Sequence, residues 1–219
     1  MTHHSLSITS AERIEAAAQR IDPVFAGSPQ YRSEALSRRV ECNIICKVET
    51  MNPIRSFKGR GVDWWAQNNP GTSSLSCLSS GNFGQAMAYA ARRHGRKVHV
   101  FTIETANPAK IAAMRALGAT VHTNAPDYDI ALKNAEAFAA DNGYHLIRDG
   151  KESAISEGAG SIAVELASLP RYPDAIYVPV GDGALINGIG SWCRARQPET
   201  RIIGICAAGA PAMARSWES

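Results

Sequence analysis

The feature that most constrains this chain is a regular alternation of strand-like and helix-like segments. Short runs rich in β-branched and other apolar residues predict strands at 75–78, 97–103, 120–123, 175–180 and 201–206. Helical periodicity predicts helices between or after them, at 84–94, 108–117, 128–142, 156–169 and from about 185. Such alternation with short loops is typical of a mostly parallel sheet covered by helices on both faces. We therefore predict an α/β fold.

The first third of the chain is less regular. We predict a helix at 11–20, a strand at 42–48 and a helix at 56–68 that begins near Ser56. Cys42, Ile44 and Cys46 alternate along that strand, so we expect their side chains to point into a core.

Composition excludes several classes of protein. The chain has 219 residues, of which 45% are hydrophobic and 20% are charged, which argues against intrinsic disorder. The net charge is only +3 and the basic residues are scattered, which argues against nucleic-acid binding. No apolar run approaches the ~20 residues that cross a membrane, and no signal peptide is recognisable. Five cysteines without a C-x-x-C pair do not suggest disulfides. We expect a soluble cytoplasmic protein.

The first candidate site is Ser56-Phe57-Lys58-Gly59-Arg60-Gly61. Lys58 lies just inside a predicted helix start, where the helix dipole opposes protonation of an amine. A neutral lysine amine is the nucleophile of Schiff-base chemistry. Taken alone, this lysine is better explained as a solvated residue on a helix surface.

The second candidate site is Ser79-Ser80-Gly81-Asn82-Phe83-Gly84-Gln85, at a strand-to-helix junction. Backbone N–H groups and small side chains at a helix N-terminus can receive a carboxylate. Asn82 adds a neutral amide that can bond a phenolic oxygen. An ordinary helix cap would show the same pattern.

The third candidate site is the turn Gly181-Asp182-Gly183-Ala184-Leu185, between an apolar strand and a helix. Such turns often bind phosphate through exposed N–H groups. A nicotinamide dinucleotide site would also need an acidic residue at the end of the next strand, but residues 204–208 contain none. A P-loop is excluded because Gly-Lys-Ser/Thr is missing.

Together these segments supply an amine, an amide for a ring hydroxyl, a carboxylate loop and a phosphate loop, the set that pyridoxal 5'-phosphate requires. In sequence and order they resemble the threonine dehydratase-like enzymes, the pyridoxal-phosphate family that includes serine/threonine ammonia-lyases and serine racemase. The segment from Glu157 to Glu165 is similar to the family helix that precedes the phosphate loop. The resemblance covers about 21–219.

The resemblance implies a role for each matched residue. Lys58 would carry the cofactor as a Schiff base and then move the α-proton. The cofactor would also contact the residues Phe57, Asn82, Gly181, Asp182, Gly183, Ala184 and Leu185. The substrate carboxylate would lie against Ser79, Ser80, Gly81, Asn82 and Gln85.

The resemblance also implies an architecture. The tryptophan synthase β-like fold of this family has two three-layer α/β/α domains with mostly parallel twisted sheets. A small domain would span 53–148, and a large domain would combine 1–52 with 149–219. Because relatives continue well beyond Ser219, we expect the large domain to be incomplete, without the Ser or Cys that bonds the pyridine nitrogen.

Two departures from the family pattern bear on function. Asp182 and Ala184 stand in a turn that is usually richer in glycine, and a carboxylate beside a phosphate is unfavourable unless it points outward. Cys206 and Ala207 occupy the stretch where many relatives bind a divalent cation through a glutamate, so we expect no metal.

The expected activity is a pyridoxal-phosphate-dependent ammonia-lyase reaction on L-threonine, L-serine or a similar β-substituted amino acid, giving a 2-oxo acid and ammonia. The resemblance implies a homodimer. Two alternatives stay open: a β-replacement or threonine synthase of the same fold, and a truncated relative without activity.

Overall fold

The computed structural model describes residues 9–71 and 73–218. The helices in these residues are α1 (Ala11–Arg20), α2 (Glu34–Val40), α3 (Lys58–Asn68), α4 (Asn82–Arg93), α5 (Pro108–Ala116), α6 (Tyr128–Asn142), α7 (Ser153–Leu166), α8 (Ala184–Arg196) and α9 (Ala212–Glu218). The strands are β1 (Gln30–Arg32), β2 (Ile45–Lys47), β3 (Leu75–Leu78), β4 (Val98–Ile103), β5 (Thr120–Ala125), β6 (His145–Ile147), β7 (Ala175–Pro179) and β8 (Arg201–Ile205).

The largest sheet has four parallel strands in the order β5-β4-β3-β6. The chain steps from β3 to β4 to β5 in one direction and then returns to place β6 on the other side of β3. Ligands of open parallel sheets bind at the carboxyl ends of the strands, beside the point where the strand order reverses. In this sheet that point lies between β3 and β6.

Helices cover both faces of this sheet, as the side chains of β4 show. Val100 faces α4 and α5: a Cβ placed on Gly84 of α4 would lie 3.2 Å from Val100 and 2.4 Å from Met114 of α5. On the opposite face the rings of His99 and Phe101 pack on Phe138 of α6, with centroids 4.5 and 5.5 Å away. This period-2 alternation buries the strand from two sides and confirms the predicted α/β class.

The described residues also form two shorter sheets. Strands β7 and β8 are parallel, whereas β1 and β2 form an antiparallel pair. The predicted 42–48 strand shortens to Ile45–Lys47, and the expectation that Cys42 points into a core is wrong, because Cys42 is exposed. Its partner Cys46 is only half-buried. The reason is that β2 pairs with the three-residue β1 instead of entering the large sheet.

Most other predicted elements appear with ends shifted by a few residues, but sequence patterns missed β1, α2, β6 and α9. The proposed division into 53–148 and its two flanks stays a prediction. Residues 1–8 and 219 of the flanks lie outside the described residues. None of the helices in the described ranges is both long and apolar enough to cross a membrane.

Glycine contacts with α7 set the positions of α3 and α8. A Cβ on Gly158 of α7 would lie 2.4 Å from the carbonyl oxygen of Arg60 in α3. A Cβ on Gly188 of α8 would lie 2.1 Å from the carbonyl oxygen of Ser156 in α7. Real Cβ atoms do not approach backbone so closely, so both helices touch α7 with their main chains.

This packing predicts opposite effects for two alanine substitutions in α8. Gly188→Ala forces the backbones apart and should lower the free energy of unfolding by about 1–3 kcal/mol. A Cβ at Gly190 would meet open space. Gly190→Ala should therefore leave the free energy of unfolding unchanged or raise it by up to ~1 kcal/mol, because alanine favours a helix more than glycine does. Urea denaturation of both variants compares them, and equal effects would contradict backbone contact between α7 and α8.

A histidine pair lies within the aromatic face under α6. His99 Nδ1 and His122 Nε2 are 2.9 Å apart, so one ring must donate a proton and the other must accept it. Burial lowers the pKa of both imidazoles, and for His99 the nearby His122 and Lys97 add to the decrease. An unfolded chain therefore binds more protons than the folded one near the usual histidine pKa, so stability rises with pH there.

We accordingly expect the melting temperature to fall as the pH drops from 8 through about 6.5 to 5. His122→Phe keeps a ring on Phe101 but removes one titrating group and the paired nitrogen. Its melting temperature should depend less on pH than that of the wild type, whereas exposed His94→Gln should retain the wild-type slope. Thermal denaturation across this pH range measures both, and an unchanged slope in His122→Phe would exclude the pair as the source.

Candidate active site

Polar residues follow the carboxyl ends of all four parallel strands and meet at one edge of the sheet. Asn82 follows β3, Lys110 follows β4, Tyr128 follows β5 and Asp149 follows β6. The 181–185 turn follows β7 in the neighbouring sheet. This edge is where the fold class binds its ligands. Lys58 and the 181–185 turn reach it through contacts with Asp149 and Gly150, whereas Ser80 and Asn82 contact Tyr128 and Lys110.

Lys58 is the first residue of α3, and its side chain is largely buried at this edge. The hydroxyl of Ser56 accepts a hydrogen bond from the Lys58 N–H at 3.3 Å, which fixes the start of the helix. Lys58 Nζ lies 2.5 Å from Asp149 Oδ2 and 3.9 Å from Asp182 Oδ2. It also lies 5.1 Å from the centroid of the Phe57 ring. The amine therefore stands between a buried carboxylate and the glycine turn.

Asp149 is the buried acid of the site, with 9% of its side chain exposed. Burial raises the pKa of Asp149, the nearby Asp182 adds to the increase, and the Lys58 ammonium opposes it. Within the described residues its second oxygen, Oδ1, is buried and accepts no hydrogen bond. A buried carboxylate with a spare oxygen is costly and is held here by the surrounding structure.

The 181–185 turn leads directly into α8. Gly183 has φ +92, a left-handed conformation that favours glycine, and no side chain in the described residues caps the first turn of α8. A Cβ on Gly150 would lie 2.4 Å from the Asp182 carbonyl oxygen, so the loop after β6 rests on this turn. The Asp182 side chain is 63% exposed, yet its carboxylate lies on the Lys58 side and does not point away.

The 79–85 segment holds its side chains through local bonds. Ser79 Oγ accepts from the N–H groups of Gly81 at 3.2 Å and Gly84 at 2.8 Å, and thereby shapes the turn into α4. Ser80 Oγ lies 2.5 Å from the Tyr128 hydroxyl oxygen.

Asn82 makes a contact that the sequence did not suggest. Its Oδ1 accepts from Lys110 Nζ at 2.5 Å and from Gln85 Nε2 at 3.3 Å. Gln85 is buried beneath this contact. The Lys110 ammonium therefore directs the Asn82 amide oxygen, which orients the group expected to face a ring hydroxyl.

A cavity of about 140 Å³ opens between the sheet edge and the turn, lined by Leu78, Leu132, Arg148, Asp149 and Asp182. It is well above the space that one water needs. A larger cavity of about 400 Å³ lies elsewhere, beside Lys47 and Glu165, and contains none of the predicted site residues. The smaller cavity lies where the parallel strands end and includes Asp182 of the predicted turn, so it is the better candidate for a reaction site.

Arg60, two residues after Lys58, anchors the first turn of α3. Its guanidinium is fully buried and bonds Glu49 at 2.8 Å and Glu165 of α7 at 2.6 Å. Burial acts to raise the pKa of Glu165, but hydrogen bonds and charge from Arg60, aided by Lys47, outweigh it and lower that pKa. These ionic hydrogen bonds fix α3 to α7 and so fix where Lys58 stands.

The residues present fit pyridoxal phosphate. The amine that would bond its aldehyde faces a glycine turn whose helix N-terminus lacks a side-chain cap, the usual receptor for a phosphate. Asp149, which lines the cavity, is a carboxylate and so is suited to a neighbouring cationic or protonated group. The Asp182 carboxylate is unfavourable beside a phosphate bound at the turn.

Comparison with known proteins agrees with this fit. The sequence pattern of the family described as "Pyridoxal-phosphate dependent enzyme" matches residues 21–219. The chain belongs to this family. An L-threonine dehydratase of Lactococcus lactis subsp. lactis is 28% identical over 220 residues, covering 96% of this chain and 53% of that protein. The chloroplastic threonine dehydratase of Arabidopsis thaliana is 33% identical over 86% of this chain and 33% of its own length.

A solved structure extends the agreement to three dimensions. The threonine deaminase of T.th. superposes with a TM-score of 0.88 at 30% identity, covering 95% of this chain and 68% of that one. The family's α/β fold is therefore confirmed, and pyridoxal phosphate is the family's cofactor. The chain spans about half the length of the first curated relatives it matches.

Sequence reasoning missed Asp149, Lys110 and Tyr128. Asp149 follows a three-residue strand too short to recognise, although a polar residue after a strand end was a usable signal. Lys110 and Tyr128 sit in the first turns of α5 and α6, where the pattern only indicated a helix start. The described residues contain no cluster of three or more side chains suited to a metal, and the absence of a metal remains a prediction.

The Arg60 anchor yields a stability prediction. Arg60→Met leaves Glu49 and Glu165 largely buried without their shared cation, so unfolding should become easier by roughly 3–5 kcal/mol. Arg194→Met, at an exposed position of α8, should change stability by less than about 0.5 kcal/mol. Chemical denaturation measures both, and a small loss for Arg60→Met would show that Lys47 alone suffices for Glu165.

Proposed function

We propose that this chain forms the Schiff-base and phosphate-binding part of a pyridoxal-phosphate-dependent ammonia-lyase. Its substrate is L-threonine, L-serine or a similar small amino acid with a β-substituent, and its products are a 2-oxo acid and ammonia. The observation that carries the proposal is the place of Lys58 Nζ, 2.5 Å from Asp149 and 3.9 Å from Asp182, two residues that line the cavity at the strand ends. An exposed lysine on a helix surface would not stand there.

The proposed cofactor contacts are Lys58 for the aldehyde carbon, Phe57 beside the ring, Asn82 for the ring hydroxyl and the 181–185 turn for the phosphate. The backbone N–H groups of Gly181, Asp182, Gly183, Ala184 and Leu185 would serve the phosphate. The substrate carboxylate would lie on the helix N-terminus formed by Ser79, Ser80, Gly81, Asn82 and Gln85. Lys110 supports this arrangement by holding Asn82.

When bound, the cofactor supplies an electron sink for the charge that develops at the substrate α-carbon. The protein supplies the proton transfer and the geometry. With its amine free, Lys58 accepts the α-proton at Nζ, and the 79–85 loop orients the carboxylate so that the α-hydrogen faces that nitrogen. Closure of the proposed small domain would exclude water.

Relatives support the substrate class. The matched proteins include threonine dehydratases and a threonine deaminase, which act on threonine by name. A homodimer and a cytoplasmic location are further proposals, supported by the family resemblance and by five unpaired cysteines.

A second candidate is a relative that binds the cofactor poorly and has lost activity. The Asp182 carboxylate favours it, because this charge faces the site and would oppose a bound phosphate. The spectrum of the purified protein with added pyridoxal phosphate separates the two: a visible cofactor band supports an enzyme.

The lysine is tested by substitution. Lys58→Ala should remove the visible band and reduce 2-oxo acid formation from serine or threonine by at least about 10³-fold, because both the covalent link and the base are lost. Exposed Lys133→Ala on α6 should retain both. Adding a thiol acceptor would reveal a synthase through a β-substituted product. A Lys58→Ala protein that keeps the band and turnover would reject the assignment.

A further inference from the structure

Asp149 is a buried carboxylate that the proposed function does not yet use. Its Oδ2 lies 2.5 Å from Lys58 Nζ, while its buried Oδ1 accepts no hydrogen bond from the described residues. The side chain lines the 140 Å³ cavity beside the lysine. A buried carboxylate oxygen without a donor is costly, and a proton on the carboxyl group would lower that cost.

The surroundings of Asp149 contain few charges. Lys58 of α3 is its cation, and Asp182 in the turn before α8 is a second carboxylate. Arg148 is half-exposed and lies 3.6 Å from Glu136 of α6. The Cys77 thiol of β3 stays protonated, because burial and then Asp149 raise its pKa to about 12.

Lys58 cannot serve as this cation throughout a reaction. In the proposed function its amine must be bonded to the cofactor or free as a neutral base. In the neutral-base state Asp149 has no counter-charge while it stays buried beside Asp182. Burial and Asp182 already raise the pKa of Asp149, so uptake of a proton is the least costly response.

The elimination requires such a proton. Hydroxide is a poor leaving group, and a β-hydroxyl departs more easily as water when an acid protonates it. Of the residues lining the cavity, Leu78 and Leu132 have no proton to give, and Arg148 does not release one. Asp149 is nearly buried, whereas the Asp182 side chain is 63% exposed. Burial disfavours the charged form of a carboxyl group, so Asp149 is the better placed of the two to hold a proton.

We propose that Asp149 is the acid that protonates the β-hydroxyl leaving group while Lys58 removes the α-proton. The inference rests on the proposed ammonia-lyase function. The Cα–H bond breaks and its proton goes to Lys58 Nζ, while its electron pair forms the Cα–Cβ double bond. The Cβ–O bond breaks with its electron pair on oxygen, which takes the Asp149 proton and leaves as water. The pair then stands as ammonium and carboxylate, the arrangement seen at 2.5 Å, and transfer of one proton between them resets it.

Two substrates separate this role from a structural one. L-serine must lose a hydroxyl, whereas β-chloro-L-alanine loses chloride, which needs no proton. In Asp149→Asn, pyruvate formation from L-serine should fall by about 10²-fold or more, while formation from β-chloro-L-alanine stays within the same order of magnitude. Asp141→Asn, an exposed carboxylate of α6, should leave both rates unchanged.

The outcomes are distinguishable. Equal losses on both substrates, or no loss on either, would overturn the role of Asp149 and leave the proposed function standing. Wild-type protein that bears the cofactor yet eliminates neither group would reject the proposed function itself. If Asp149→Asn does not fold, the wild type still decides: its serine reaction should lose rate as pH rises through the Asp149 pKa, while the chloride reaction lacks that decline.

A measurement without turnover completes the test. Infrared difference spectra of wild type minus Asp149→Asn should show a protonated carboxylic acid at neutral pH once the protein is loaded with pyridoxal phosphate. The same spectra without cofactor should show a carboxylate, because Lys58 is then its ion-pair partner. A carboxylate in both states would exclude Asp149 as the proton donor.

Discussion

The buried guanidinium of Arg60 is the interaction on which the rest of the site depends. It joins three parts of the chain, since Glu49 precedes α3 and Glu165 belongs to α7. Charges in such a place are tolerated only when each has its partners, and the bonds of Arg60 to Glu49, Glu165 and Ser161 provide them. A helix held this rigidly at its first turn presents Lys58 in one position.

The contacts of α3 and α8 with α7 have an electrostatic result. Both helices approach α7 through glycines, and both begin at the edge where the strands of the large sheet end. Two helix N-termini therefore direct partial positive charge toward one cavity. The carboxylates of Asp149 and Asp182 balance this charge and the lysine ammonium in the protein alone. An anionic cofactor would add negative charge at the same place, which would favour the protonated form of the buried Asp149.

Much of this arrangement could be predicted from sequence. Periodicity and caps located most of the helices and strands. The glycine turn and Lys58 were predicted together, because pyridoxal phosphate needs both a phosphate-binding turn and an amine. The sequence patterns failed where the structure depends on how short strands pair with one another. Three-residue strands such as β6 carry too little pattern to be recognised, so the acid that follows β6 was not assigned to the sheet edge. Cys42 was misplaced because alternation shows which residues share a face but not whether anything covers it. The contact between Ser80 and Tyr128 depends on strand order, which no local pattern encodes.

That contact and its neighbour have a consequence for recognition. The hydroxyl of Ser80 is engaged by Tyr128, and the amide oxygen of Asn82 is engaged by Lys110. A ligand bound at these groups would share them with an internal partner, because hydroxyl and amide oxygens can accept more than one hydrogen bond. Tyr128 and Lys110 would keep both side chains in place as the ligand arrives, so little side-chain entropy would be lost on binding. Recognition at this edge would therefore use groups that are already oriented.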